Sequence, residues 1–109
     1  MKTILDEPML SEISRLFRAL GEEARLRLLR VLLAADQPMS QKALAEATGL
    51  TQANASKHLI QLASAGLVTR EPQGNLVLFR PVIPLVAEVC TMVCTHVADR
   101  IKSSYESIS

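Results

Sequence analysis

Cysteine is scarce in this sequence: Cys90 and Cys94 are the only two in 109 residues. They are too few and too close together to form the disulfide framework of a small secreted fold, so they need another explanation. No stretch approaches the roughly 18 uncharged apolar residues of a membrane span. The opening Met-Lys-Thr-Ile-Leu-Asp-Glu-Pro turns acidic before a signal-peptide core could form. Both absences point to a cytoplasmic protein with no membrane partner. There is no internal repeat and no low-complexity tract. Also missing are a Ser/His/Asp set, paired carboxylates and a phosphate-cradling loop, so no enzyme is expected. What is present is an ordinary globular composition, 49% hydrophobic and 21% charged, suited to one domain over residues 1–109. A domain this small buries only about two-thirds of its unfolded surface, so pairing with a second copy would help it.

The net charge of +1 conceals an uneven distribution. Residues 24–80 carry seven bases (Arg25, Arg27, Arg30, Lys42, Lys57, Arg70, Arg80) against three acids. Both ends are net acidic. A basic centre suits phosphate contacts on one face, and it equally suits a solvated mixed surface.

The hydrophobic period predicts mainly α structure with a small β-hairpin. Pro8 opens a helix over residues 8–20, with Met9, Ile13, Leu16, Phe17 and Leu20 on its inner side. Glu22 and Glu23 suit the first turn of a second helix, whose inner side is expected to hold Leu26, Leu29, Val31, Leu32 and Leu33. Ser40 is a good N-cap for a short third helix that ends at Thr48-Gly49. Thr51 caps a fourth, which runs to about Ser64 and buries Ala55, Leu59, Leu62 and Ala63. Beyond Gly66 the period changes, and residues 67–70 and 76–80 read as two strands of a hairpin joined by Glu71-Pro72-Gln73-Gly74-Asn75. A last helix is expected over residues 82–104.

Two helices joined by Gly49-Leu50-Thr51 make a helix-turn-helix, whose second helix can enter a DNA major groove. With the hairpin behind it, the order is that of a winged helix-turn-helix of about five helices and a two-stranded wing. On the fourth helix Gln52, Ala53, Ser56, Lys57 and Ile60 are expected to project outward. Gln can bond an adenine edge, Ser a base or phosphate, and Lys guanine or a phosphate. Thr51, Asn54 and His58 border that row. Arg70, Gly74 and Arg80 lie on the hairpin and complete the candidate DNA-binding set, the ordinary alternative for each arginine being a solvated surface charge.

The runs Glu22-Glu23-Ala24-Arg25-Leu26-Arg27-Leu28-Leu29-Arg30-Val31-Leu32, Leu50-Thr51-Gln52-Ala53-Asn54-Ala55-Ser56-Lys57-His58-Leu59 and Ala65-Gly66-Leu67-Val68 together resemble the ArsR-type family of metal-sensing repressors. The likeness extends over about residues 10–80. It implies a homodimeric transcriptional repressor on operator double-stranded DNA, with helices 8–20 and 82–104 forming the dimer interface. It also places Gln52, Ser56 and Lys57 at DNA-facing positions, and Phe79 where the family commonly has an aromatic closing the wing.

The chain departs from the family's metal sites. Residues 41–48 contain no Cys-x-Cys motif, and Glu88-x-Cys90 lacks the His or acidic residues that would complete a site on the last helix. What remains is Cys90 and Cys94, one turn apart on a stripe with Val86, Val93, Val97 and Ile101. Two readings stand. The pair can be small buried hydrophobes of the dimer seam. Alternatively it is a sensor that releases the protein from DNA when a soft metal ion, an oxidant or a persulfide reaches it. A metal would need further ligands, since zinc takes four and As(III) takes three thiolates. His96 lies about 200° around the helix from Cys94. A disulfide within the pair is strained, because i,i+4 Cβ atoms sit about 5–6 Å apart. Thiol oxidoreductase chemistry does not suit a mid-helix pair. A regulator without thiol sensing, and a winged helix that binds only protein, remain as alternatives.

Overall fold

Local capping chemistry sets most of the element boundaries. The structure, a computed structural model, describes residues 5–108. Helix α1 spans Glu7–Leu20, one residue earlier than Pro8 suggests, because the Asp6 carboxylate accepts the Met9 N–H at 2.9 Å. Helix α2 spans Glu23–Ala34. Ser40 caps α3 (Gln41–Thr48) by accepting the Ala43 N–H at 3.1 Å, and Thr51 caps α4 (Gln52–Ser64) by accepting the Asn54 N–H at 3.1 Å. Gly49, at φ +74, ends α3 in the left-handed conformation that a side chain would strain. Helix α5 spans Leu85–Ile108 and so runs past the expected end at residue 104.

The sheet has three strands where two were expected. Strand β1 (Met39–Ser40) pairs antiparallel with β3 (Leu76–Pro81), setting Met39 opposite Phe79, and β3 pairs with β2 (Val68–Gln73), in the order β1-β3-β2. A two-residue strand has no readable period and exists only because β3 offers it a partner. The hairpin loop is also tighter than Glu71-Pro72-Gln73-Gly74-Asn75. Gln73 pairs with Leu76, which leaves Gly74-Asn75 as the loop, and Gly74 takes φ +63 there. With Gln73 and Leu76 as the hydrogen-bonded pair, Pro72 opposite Val77 falls at a non-bonded position. Its missing N–H then faces the open edge of β2, which is where a sheet tolerates proline.

Leu28, Leu29 and Leu32 of α2 meet Leu44 of α3, Leu59 and Leu62 of α4, Leu67, Val68, Phe79 of β3 and Val86 of α5 in one core. The inner side of α2 therefore differs from expectation. Leu26 is exposed and Leu28 is buried, so the buried row reads 28, 29, 32 and begins, one turn earlier, at Arg25. Val31 and Leu33 are half-buried, and so is Ala63 on α4. On α1, Met9 and Phe17 are exposed. So are Met92, Val93, Val97, Ile101 and Tyr105 of α5, where residues 91–106 are exposed throughout. Only Val86 of the predicted α5 stripe is fully buried, and Cys90 is half-buried. Among the described residues, no helix is long and apolar enough to cross a membrane.

Candidate nucleic-acid interface

The turn between α3 and α4 determines where the fourth helix points. Gly49 closes α3, Thr51 caps α4, and the Gln41 amide reaches across from the first turn of α3 to donate to the Gln52 carbonyl at 3.3 Å. Ala55, Leu59 and Leu62 seat α4 in the core. The opposite side is bare: Gln52, Ala53, Asn54, Lys57 and Ile60 are exposed, Ile60 by 62%. Ser56, expected to be fully outward, is half-buried on the flank.

His58 stands on the other flank, turned inward. It lies three residues after Ala55 and four before Leu62, both fully buried, so the helical period brings it toward the core side. Its Nδ1 accepts a hydrogen bond from Arg25 Nε at 3.2 Å. Burial holds the His58 pKa below the usual histidine value, as do the Arg25 and Lys57 charges, with Glu22 opposing them. His58 is thereby separated from the exposed row that it borders in sequence. The sequence pattern does not single out Arg25 as a partner, although an arginine heading an apolar i, i+3, i+4, i+7 row is a visible signal.

On the wing, Gly74 is at the hairpin tip and Arg70 is exposed opposite Phe79. Phe79 itself is buried against the core. Arg80 differs from Arg70 in having a partner, since its Nε donates to the Glu71 carboxylate at 3.0 Å across the hairpin. Both side chains are about half exposed, where such a pair is worth at most about 1 kcal/mol.

Residues 20–71 match a helix-turn-helix domain family. The uncharacterized HTH-type transcriptional regulator Rv0081 of Mycobacterium tuberculosis (strain ATCC 25618 / H37Rv) is 30% identical over 83 residues, covering 76% of this chain and 72% of that protein. Among solved structures, the homodimeric winged helix-turn-helix DNA-binding domain of Mb0332 from Mycobacterium bovis, a possible ArsR-family regulator, superposes with a TM-score of 0.80. It is 28% identical and is covered over 95% of its length, against 94% of this chain. The chain belongs to the ArsR-type family of winged helix-turn-helix transcriptional regulators. The antimony-specific repressor AntR shares the fold of this ArsR-type chain, with a TM-score of 0.75 at 24% identity over 93% of this chain and 90% of AntR.

Cys90 and Cys94 both border an apolar cleft of ≈ 820 Å³ between α2 and α5, together with Leu26, Arg30, Leu33 and Val93. Cys94 is exposed and Cys90 half-buried. Burial pushes the Cys90 thiol up, and the neighbouring Cys94 adds to the shift, so Cys90 holds its proton more firmly than a free cysteine. Among the described residues no three His, Cys, Asp or Glu side chains gather as a metal site requires.

Proposed function

We propose that this ArsR-type regulator is a cytoplasmic, homodimeric repressor without catalytic activity that reads operator DNA through α4. The observation that carries the reading is the exposed row Gln52, Ala53, Asn54 and Lys57, held opposite a fully buried Ala55-Leu59-Leu62 seat. Two such helices related by a two-fold axis would enter successive major grooves about 34 Å apart, with Arg70, Gly74 and Arg80 on the wings alongside the backbone. The apolar surface of α1 and α5 supplies the dimer seam in this reading, supported by the homodimeric Mb0332 domain. Repression is supported by the fold shared with AntR.

The test is a binding series on duplexes of the protein's own upstream DNA and on unrelated duplexes. Gln52→Ala or Ser56→Ala should lose specific affinity worth about 1–3 kcal/mol for a broken base contact and discriminate less between sequences. Lys57→Ala and Arg70→Ala should instead weaken all sequences alike and flatten the salt dependence by about one log-log unit for each phosphate no longer neutralised. Unchanged specificity in the first two variants would remove α4 from the reading role.

A second element of the proposal is release by thiol chemistry, favoured by Cys90 and Cys94 standing together at the cleft on the α5 surface that this reading gives to the dimer seam. Two thiols and one peroxide give a disulfide and two waters, and a bond between copies avoids the strain of one within a single helix turn. Replacing both cysteines by alanine should leave a dimer that binds DNA and no longer responds to peroxide or a persulfide donor in a gel-shift assay. A double variant still released by the same agent would make the pair structural.

A further inference from the structure

Arg25 and His58 do more than fill space. The Arg25 guanidinium donates through Nε to His58 Nδ1 at 3.2 Å, and through Nη1 to the carbonyls of Arg18 at 3.3 Å and Ala19 at 3.5 Å. Those carbonyls belong to the last turn of α1, and the Arg18 carbonyl also accepts the Gly21 N–H at 3.2 Å. One side chain of α2 therefore ties the end of α1 to the middle of α4. Both members of the pair are half-buried, and His58 immediately precedes Leu59, the fully buried seat of the helix.

The bond imposes a protonation state. Arginine has donors only, so His58 Nδ1 must present a lone pair, and the ring must be neutral with its proton on Nε2. A protonated ring would set N–H against N–H and cation against cation. The charges acting on the ring are Arg25 from α2, Lys57 from α4 and Glu22, the residue that precedes α2. From α1 the pair meets carbonyl ends, while the Arg18 guanidinium lies back at Ser14 Oγ, 3.3 Å away.

We propose that Arg25 and His58 are positioning residues for the DNA-reading helix, and that protonation of His58 breaks their bond and weakens DNA binding. The proposal rests on α4 being the reading element. The direction follows from linkage. The folded, bonded state disfavours the imidazolium, so it binds fewer protons than the broken state, and its advantage is complete above the ordinary histidine value of about 6.5. Acidification below that value removes it. A histidine that merely faced phosphates would behave oppositely, because its positive charge would strengthen binding as pH falls.

The experiment is a fluorescence-anisotropy titration of the intact protein with its own upstream duplex at constant salt, from pH 8 to pH 5.5. Wild type should lose about tenfold in affinity over the acid half of this range, the scale of one hydrogen bond to a charged group. His58→Gln, whose amide oxygen can still accept from Arg25, should bind like wild type at pH 8 with a flat profile. His58→Ala and Arg25→Ala should bind weakly throughout, again flat. His96→Gln should keep the wild-type profile. Circular dichroism at pH 8 checks folding, and NMR titration of the His58 ring in Arg25→Ala should show its pKa moving up. Gln52→Ala, run in parallel, separates the two readings: if it too is silent, α4 is not the reader. Affinity that rises on acidification, or His58→Ala binding as tightly as wild type beside a weakened Gln52→Ala, overturns the positioning role.

Discussion

Val97→Asp with Ile101→Asp is expected to yield a folded monomer whose operator affinity is lower by about 10²–10⁴-fold, the avidity that disappears when a second linked site no longer engages. Val97 and Ile101 are 46% and 54% exposed in the single chain, and residues 91–106 of α5 contribute nothing to the buried core. Carboxylates there should leave the helix-turn-helix intact. They cannot be buried unpaired in an apolar seam without a cost far above what the seam returns. Sedimentation velocity should show the monomer, circular dichroism an unchanged helix content, and gel shift the reduced affinity. A variant that stays dimeric would place the seam elsewhere.

Leu59→Ala should destabilise the protein by about 2–5 kcal/mol, because removing a buried leucine loses its transfer energy and leaves a cavity behind α4. Leu59 is fully buried and shares one core with Leu28, Leu29 and Leu62. Against a typical total of about 5–15 kcal/mol, that loss is a large fraction. The neighbouring Ile60→Ala removes a comparable side chain that is 62% exposed, and should stay within about 0.5 kcal/mol of wild type. Urea unfolding at one fixed protein concentration measures both, since dimerisation makes apparent stability concentration-dependent. Equal losses at positions 59 and 60 would contradict the orientation of α4.

Orientation is also where sequence and structure part. The ends of α3 and α4 are legible because a cap acts within three residues: Ser40 reaches the Ala43 N–H and Thr51 the Asn54 N–H, and both side chains stand beside the groups they satisfy. Gly49 and Gly66 are legible for the same local reason, each taking a positive φ. On α4, Ala55, Leu59 and Leu62 fall on one side by period alone. On α2 the same reasoning puts Leu26 on the inner side, because apolar residues run almost continuously from Leu26 to Ala34 and several rows fit equally well. The choice belongs to α3 and α4, which cover the row containing Leu28, Leu29 and Leu32. Met9 and Phe17 of α1 read as an inner side in sequence, and the α5 stripe as a dimer seam, because hydrophobicity alone does not say whether the covering surface belongs to the same chain.

The sequence by itself determined the order of the five helices and the hairpin, the helix-turn-helix with its caps, most of the polar outer row of α4 and the family, all of which depend on residues a few positions apart or on likeness along the chain. Only the tertiary structure decided that Met39-Ser40 pairs with β3, that β2 continues through Pro72, that Arg80 is engaged by Glu71 and that His58 turns inward to Arg25. Each of these is a contact between segments that meet only once the chain has folded, 33 residues apart in the case of Arg25 and His58. A hydrogen bond depends on distance and direction in space, which periodicity along one helix does not encode.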